Sequence, residues 1–161
     1  MPLDEGYVFA NVPFAKWDDD GQGWRVNRQK GVVVSHGCSC EDYITWLADG
    51  KTDKANKVNI LVAPLISAAD YPPDGVERIR EGKYRDLFLI EGGDSMPAQV
   101  VQLPRQQAIP ARVLVELSKI VILADWQWAH LQLHIGVFVF HKEPGDLYNP
   151  ALLEETAGDA D

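Results

Sequence analysis

The sequence is poor in cysteine, in long apolar runs and in positive charge, and each shortage excludes something. Its two cysteines, Cys38 and Cys40, are separated by a single residue. That spacing suits an ordinary structural disulfide badly, because such a bond usually closes a longer loop. So sparing a use of cysteine fits a reducing compartment. No apolar stretch approaches the 18 or so residues that a membrane-spanning helix needs. Met1 to Gly6 carries Asp4 and Glu5 and lacks a basic leader, so no signal peptide is expected. The expected setting is cytoplasmic, with no membrane partner. Lys and Arg number 15 against 24 Asp and Glu, giving a formal charge of −9 and a pI near 4.8. An average field of that sign repels phosphate backbones and excludes a generic nucleic-acid coat. Neither standard glycine-rich phosphate loop is present, so nucleotide-dependent catalysis has no support and no cofactor is expected.

What is present is enough for one globular domain. The chain has 161 residues, 46% of them apolar, which is ordinary for a protein that buries a core. Six of the negative charges fall in residues 143–161, where there is no base, so the remainder carries only −3. The expected organisation is a single domain over 1–145, followed by an acidic, mobile tail over 146–161.

Short strand candidates dominate. Tyr7 to Val12 reads as a strand stopped by Pro13, and the acidic, glycine-punctuated Trp17–Gly23 reads as an exposed loop. Gly31–Ser35 is a β-branched run of the kind buried on both faces. Residues 41–48 suit a short helix, and Val58–Ile66 a second buried strand, with Pro64 expected at an edge or a bulge. A charged helical turn over Val76–Lys83 precedes strand candidates at Arg85–Glu91, Ala98–Leu103 and Arg112–Leu123, with Pro104–Pro110 as a loop. Beyond Asp125 a helix and a strand both fit. As a strand, Leu131, Leu133, Ile135, Val137 and Val139 alternate with polar or small residues. As a helix, Asp125 caps it and Trp128, Leu131, Ile135 and Phe138 share a stripe. The cap and the length favour the helix. These elements predict a mainly β fold: a small SH3-like barrel of about 5–7 strands with a C-terminal helix packed on it.

Few residues invite chemistry. Cys38 and Cys40, next to His36, would supply a Cys2His2 set with His130 and His134, and His141 shares the helical face. Paired zinc cysteines normally have about two to four residues between them, however, so no metal site is expected. Cys38 or Cys40 activated by a histidine is a second option, but no nucleophile motif surrounds them. The charge pattern is more informative. Residues 24–57 carry six bases against four acids, a net +2 within an acidic protein. If Arg25, Arg28 and Lys30 converge with Lys54 beside Trp24 and Trp46, they would bind single-stranded RNA by phosphate contact and base stacking. The alternative for these cations is solubility: loop lysines keep strand edges from pairing.

The run Gly-Val-Val-Val-Ser at 31–35, preceded by Arg25, Arg28 and Lys30, and then Val-Ala-Pro-Leu-Ile-Ser at 62–67, resembles the core of the MazF/PemK-like toxin family, over roughly residues 6–140. The resemblance implies an SH3-like barrel, a homodimer, an antitoxin protein as partner and metal-independent endoribonuclease activity. By position it makes Arg28 the catalytic arginine and Ser67 the catalytic hydroxyl, with Arg25, Lys30, Trp24, Trp46 and Lys54 binding RNA, and arginine stabilising charge on the scissile phosphate. The family's usual Arg-Pro reads Lys30-Gly31 here, and Ile66 stands at the hydroxyl position nearest Pro64. These departures also fit a catalytically degenerate toxin. A different class of function is a non-catalytic SH3-like module that grips a protein partner through Trp17, Trp24 and Trp46.

Overall fold

A computed structural model describes residues 3–35 and 37–140. The expected tail over 146–161 and the candidate ligands His36 and His141 lie outside the described residues. In chain order the elements are β1 (Tyr7–Asp18), β2 (Gly23–Val33), α1 (Gly37–Ala48), α2 (Thr52–Ala55), β3 (Asn59–Ser67), α3 (Pro73–Arg80), β4 (Leu87–Ile90), β5 (Gln99–Gln102), β6 (Gln107–Pro110), α4 (Ala111–Leu114), β7 (Lys119–Ile122) and α5 (Asp125–Phe140). The fold is mainly β, with seven strands and a C-terminal helix among the described residues, as the sequence predicts. The described residues form two compact units, one from 3–65 and 104–123, apart from 36, the other from 66–103 and 124–140.

The first unit is an antiparallel sheet in the order β7-β1-β2-β3-β6. Its centre is apolar on both faces, as the β-branched runs require: Val8, Phe9, Val32, Val33, Ile60, Val62 and Ala63 are all fully buried. Tyr43 and Cys40 of α1 join Phe9, Val12, Phe14, Ile60 and Val62 in the core of this unit. Gly31 lies where three side chains meet. A Cβ there would sit 2.7 Å from Val62 Cγ1, 2.9 Å from Phe14 Cζ and 3.1 Å from Val12 Cγ2. Pro64 pairs with Gly31, beyond the last β6 partner of β3, Val62.

β1 does not stop at Pro13, and Trp17–Gly23 is not wholly a loop. Two residues, Ala10 and Asn11, interrupt the register between Phe9↔Gly31 and Val12↔Gln29, and Asn11 takes a left-handed φ of 57°. This is a β-bulge, and the strand resumes after it. From Val12↔Gln29 to Asp18↔Gly23 the two strands continue as a hairpin arm. Two further expectations are corrected. Pro104–Pro110 contains β6, whose prolines fall only at its end and outside it, and Arg112–Leu123 divides into α4 and β7. Ala-Arg-Val-Leu winds up because Ala111 and Leu114, three residues apart, both turn into the core of the first unit.

In the second unit β4 and β5 form an antiparallel pair, with Ile79 of α3, Leu89, Val100 and Ala68 buried together. Beyond Asp125 the chain is helical, as favoured, and α5 packs on β4 with the His134 ring 5.6 Å from that of Phe88. The buried stripe of α5 is shifted from the expected one. It runs through Leu131, His134 and Val137, while Trp128, Ile135 and Phe138 are only half-buried.

Candidate functional site

The β1–β2 arm collects most of the predicted site residues. Strand alternation places Pro13, Ala15 and Trp17 on one face, opposite Arg28, Val26 and Trp24 respectively. Trp24 is 72% exposed and Val26 66%, so this face is apolar and open to solvent. The Trp17 and Trp24 rings meet edge to face at 5.6 Å and 78°, which holds each indole in place without burying it. On the other face Arg25 pairs with Asp18 at 2.5 Å. A cleft of about 330 Å³ beside this pair is lined by Lys16, Trp17, Asp18, Arg25, Val26 and Asn27.

The two edges of the arm differ. On the β1 edge the Gln107 side chain acts as a one-residue strand: the Ala15 N–H donates to Gln107 Oε1 at 2.8 Å, and Gln107 Nε2 donates to the Ala15 carbonyl at 2.6 Å. Both Ala15 backbone groups therefore point away from β2, which makes Ala15↔Val26 a non-hydrogen-bonded pair of the ladder. Alternation puts Pro13↔Arg28 and Trp17↔Trp24 in the same class. Pro13 is tolerated because its nitrogen faces an edge where no strand needs a donor. By the same logic, the backbone groups of Trp24, Val26 and Arg28 point out of the β2 edge. β3 pairs only with Gly31, Val32 and Val33, so among the described residues no strand covers that edge from Gly23 to Lys30.

Arg28 is exposed on this arm, and its Nη1 donates to the carbonyl of Asn11 at 3.2 Å, across the bulge. Ser67 belongs to the second unit, and its hydroxyl accepts the Ala69 N–H at 3.3 Å at the start of a 3-10 turn. Each predicted catalytic group thus has a local structural partner. Lys30 is half-buried beside the bulge. Trp46 and Lys54 do not join Trp24 and Arg25. They line a separate cleft of about 360 Å³ with Ser39, Asp42, Lys57, Val58 and Asn59, so the two basic segments build two surfaces rather than one.

The cysteine and histidine readings gain nothing. Neither cysteine is in a disulfide, and Cys38 is exposed while Cys40 is buried. Burial, reinforced by Asp4, Glu5 and Glu41, pushes the Cys40 thiol up to about 11, which keeps it protonated at neutral pH and a poor nucleophile. His130 is exposed against Trp126, while His134 is enclosed in the core of the second unit, so the two rings do not share an environment. Among the described residues no group of three or more His, Cys, Asp or Glu is placed to hold a metal ion. Among them also, no helix is long and apolar enough to cross a membrane.

No family model and no curated protein matches this chain. Function must therefore be argued from the arm and the clefts. Sequence reading missed three contributors to the arm: Val26, Asn11 and Gln107. The alternation Trp24-Arg25-Val26 was a usable signal for the first. Nothing local marks Gln107, which is 92 residues from the backbone it holds.

Proposed function

We propose that this protein is a binding module whose recognition element is the β1–β2 arm, taking up an extended segment of a protein partner along the open edge of β2. The observation that carries the proposal is the 72% exposed Trp24, braced by Trp17 beside an uncovered strand edge. Strand addition supplies affinity through the outward backbone groups of Trp24, Val26 and Arg28, and specificity through the side chains beside them. Aromatic anchors of this kind dominate binding energy at interfaces. β2 carries Arg25, Arg28 and Lys30 and no acid, so the complementary segment is acidic, with apolar residues at alternate positions. Panning a random decapeptide library on the full chain should enrich such segments, and Trp24→Ala should lose them. Equal enrichment on the Trp24→Ala protein would refute this reading.

A second reading rests on the same indole. Trp24 flanked by Arg25, Arg28 and Lys30 also suits a stacked base with neighbouring phosphates, as in an endoribonuclease of the MazF/PemK type. Incubation with mixed-sequence single-stranded RNA separates the two. Cleavage abolished by Arg28→Ala, or binding that falls steeply with salt, supports the RNA reading. Intact RNA together with peptide binding that varies little with salt supports the module.

A further inference from the structure

We infer that the cleft between α1 and the segment from α2 into β3 is a binding site for a nucleoside phosphate, separate from the arm. α1 presents Ser39, Asp42 and Trp46 along one side, at intervals of three and four residues, which is one stripe of a helix. The facing wall is Lys54 of α2 followed by Lys57, Val58 and Asn59. The cleft is open to solvent, and its volume of about 360 Å³ falls within the range of about 300–1,000 Å³ typical of small-molecule pockets.

Each side of the cleft offers one part of such a ligand its partner. Trp46 is half-buried and packs against the core that contains Tyr43 and Val58, so its indole is a fixed platform for an aromatic ring. The Lys54 and Lys57 ammonium groups have no ion-pair partner among the described residues, in contrast to Lys51, which is 2.7 Å from Asp49. Two lysines against the single carboxylate of Asp42 leave the lining locally positive on a chain whose net charge is −9. Such a site selects an anion against the average field of the protein. The Ser39 hydroxyl and Asp42 carboxylate supply partners for sugar hydroxyls, and Asn59 adds an amide at the rim. A ring, a phosphate and hydroxyls together describe a nucleoside phosphate. Here side-chain ammonium groups, not a glycine-rich loop, would hold the phosphate. The cleft of the second unit lined by Arg80, Glu91, Trp126 and His130 lacks this property, because Arg80 is already bound by both Glu77 and Glu91.

Titration of the full chain with adenosine 5′-monophosphate, followed by calorimetry and tryptophan fluorescence, tests the inference. Saturable binding is expected, with adenosine and inorganic phosphate each at least tenfold weaker. Both cleft lysines are exposed, so the double substitution Lys54→Ala, Lys57→Ala should leave the fold intact, as circular dichroism would verify, and weaken binding at least tenfold. Lys51→Ala and Trp24→Ala should leave the affinity unchanged, the second keeping this site distinct from the arm. Absence of saturable binding at low-millimolar nucleotide would overturn the inference. So would inorganic phosphate binding as tightly as the nucleotide, or an equal loss in Lys51→Ala.

Discussion

Replacing Gln107 should loosen the arm without unfolding the sheet. Two hydrogen bonds, at 2.8 and 2.6 Å, join the Gln107 carboxamide to the N–H and carbonyl of Ala15. An intramolecular hydrogen bond contributes about 0.5–1.5 kcal/mol net. Both of these lie on an exposed edge where water replaces a lost partner, so Gln107→Ala should cost about 1 kcal/mol in all, near the lower end for two bonds. The main-chain pairing of Gln107 with Val62 does not involve the side chain, so the sheet itself should survive. The loss should be local, appearing as roughly fivefold faster hydrogen exchange at the Ala15 amide, since 1.4 kcal/mol corresponds to about tenfold. Gln107→Glu sharpens the test. It keeps an acceptor for the Ala15 N–H and removes the donor to the Ala15 carbonyl, so the Ala15 amide should remain protected while overall stability falls. Urea unfolding and exchange measured by NMR would supply both quantities. Unchanged exchange at Ala15 in Gln107→Ala would refute the claim that this side chain holds the β1 edge.

Two further predictions concern the cores. Gly31→Ala should destabilise the protein by about 1–3 kcal/mol through overpacking, because the new methyl would meet Val62, Phe14 and Val12 at 2.7–3.1 Å. A lowered urea midpoint, partly restored by adding Val62→Ala, is the expected result, and an unchanged midpoint would contradict the packing described. His134 titrates below the usual histidine value because burial opposes its charged form, more strongly than the Tyr84 and Arg85 main chain and the Asp86 carboxylate favour it. With the folded value depressed, the unfolded chain takes up the proton first. Stability is then full above about pH 6.5 and declines as the pH falls from there toward the folded value, by at most about 1.4 kcal/mol per unit. Urea midpoints at pH 7.5 and 5.5 should therefore differ more in the native chain than in His134→Gln, and equal differences would refute the assignment.

What the sequence disclosed and what it concealed follow from where each element gains its stability. Gly31–Val33 and Ile60–Val62 are legible because they lie between other strands and their side chains are apolar on both faces. α5 is legible from its length and from Asp125. Its buried stripe is not, because the choice between Ile135 and His134 depends on Phe88, a distant residue. The outer half of the arm, Ala15–Asp18 with Gly23–Asn27, alternates apolar and polar residues over too few positions to stand out beside its acidic, glycine-rich turn. Its strands exist through cross-strand partners and through Gln107, so local propensity reads them as loop. β6 is hidden for a related reason. Its four residues follow Pro104 and end on Pro110, and only pairing with Asn59–Val62 makes them a strand. Among the site residues, composition located the basic and aromatic members, but their division between two clefts is a property of the hairpin register and of α1, neither of which spacing reveals.

An uncovered strand edge beside exposed tryptophans would be an aggregation hazard unless something discouraged self-pairing. Antiparallel pairing of two β2 edges would set Arg28 and Lys30 of one copy beside the same cations of another, with no acid on either strand to offset them, whereas Arg25 is already paired with Asp18 on the other face. Like charges placed opposite each other in a ladder are destabilising. The bulge at Asn11 adds a second barrier, because it bends β1 where the arm begins, and Arg28 fixes that bend through the Asn11 carbonyl. The cations that penalise a second copy are the ones that favour an acidic strand, so one sequence feature both protects the edge and selects its partner. On this view Arg28 acts through the geometry of the bulge and the charge of the edge, and its replacement by lysine would keep the charge while weakening the hold on Asn11.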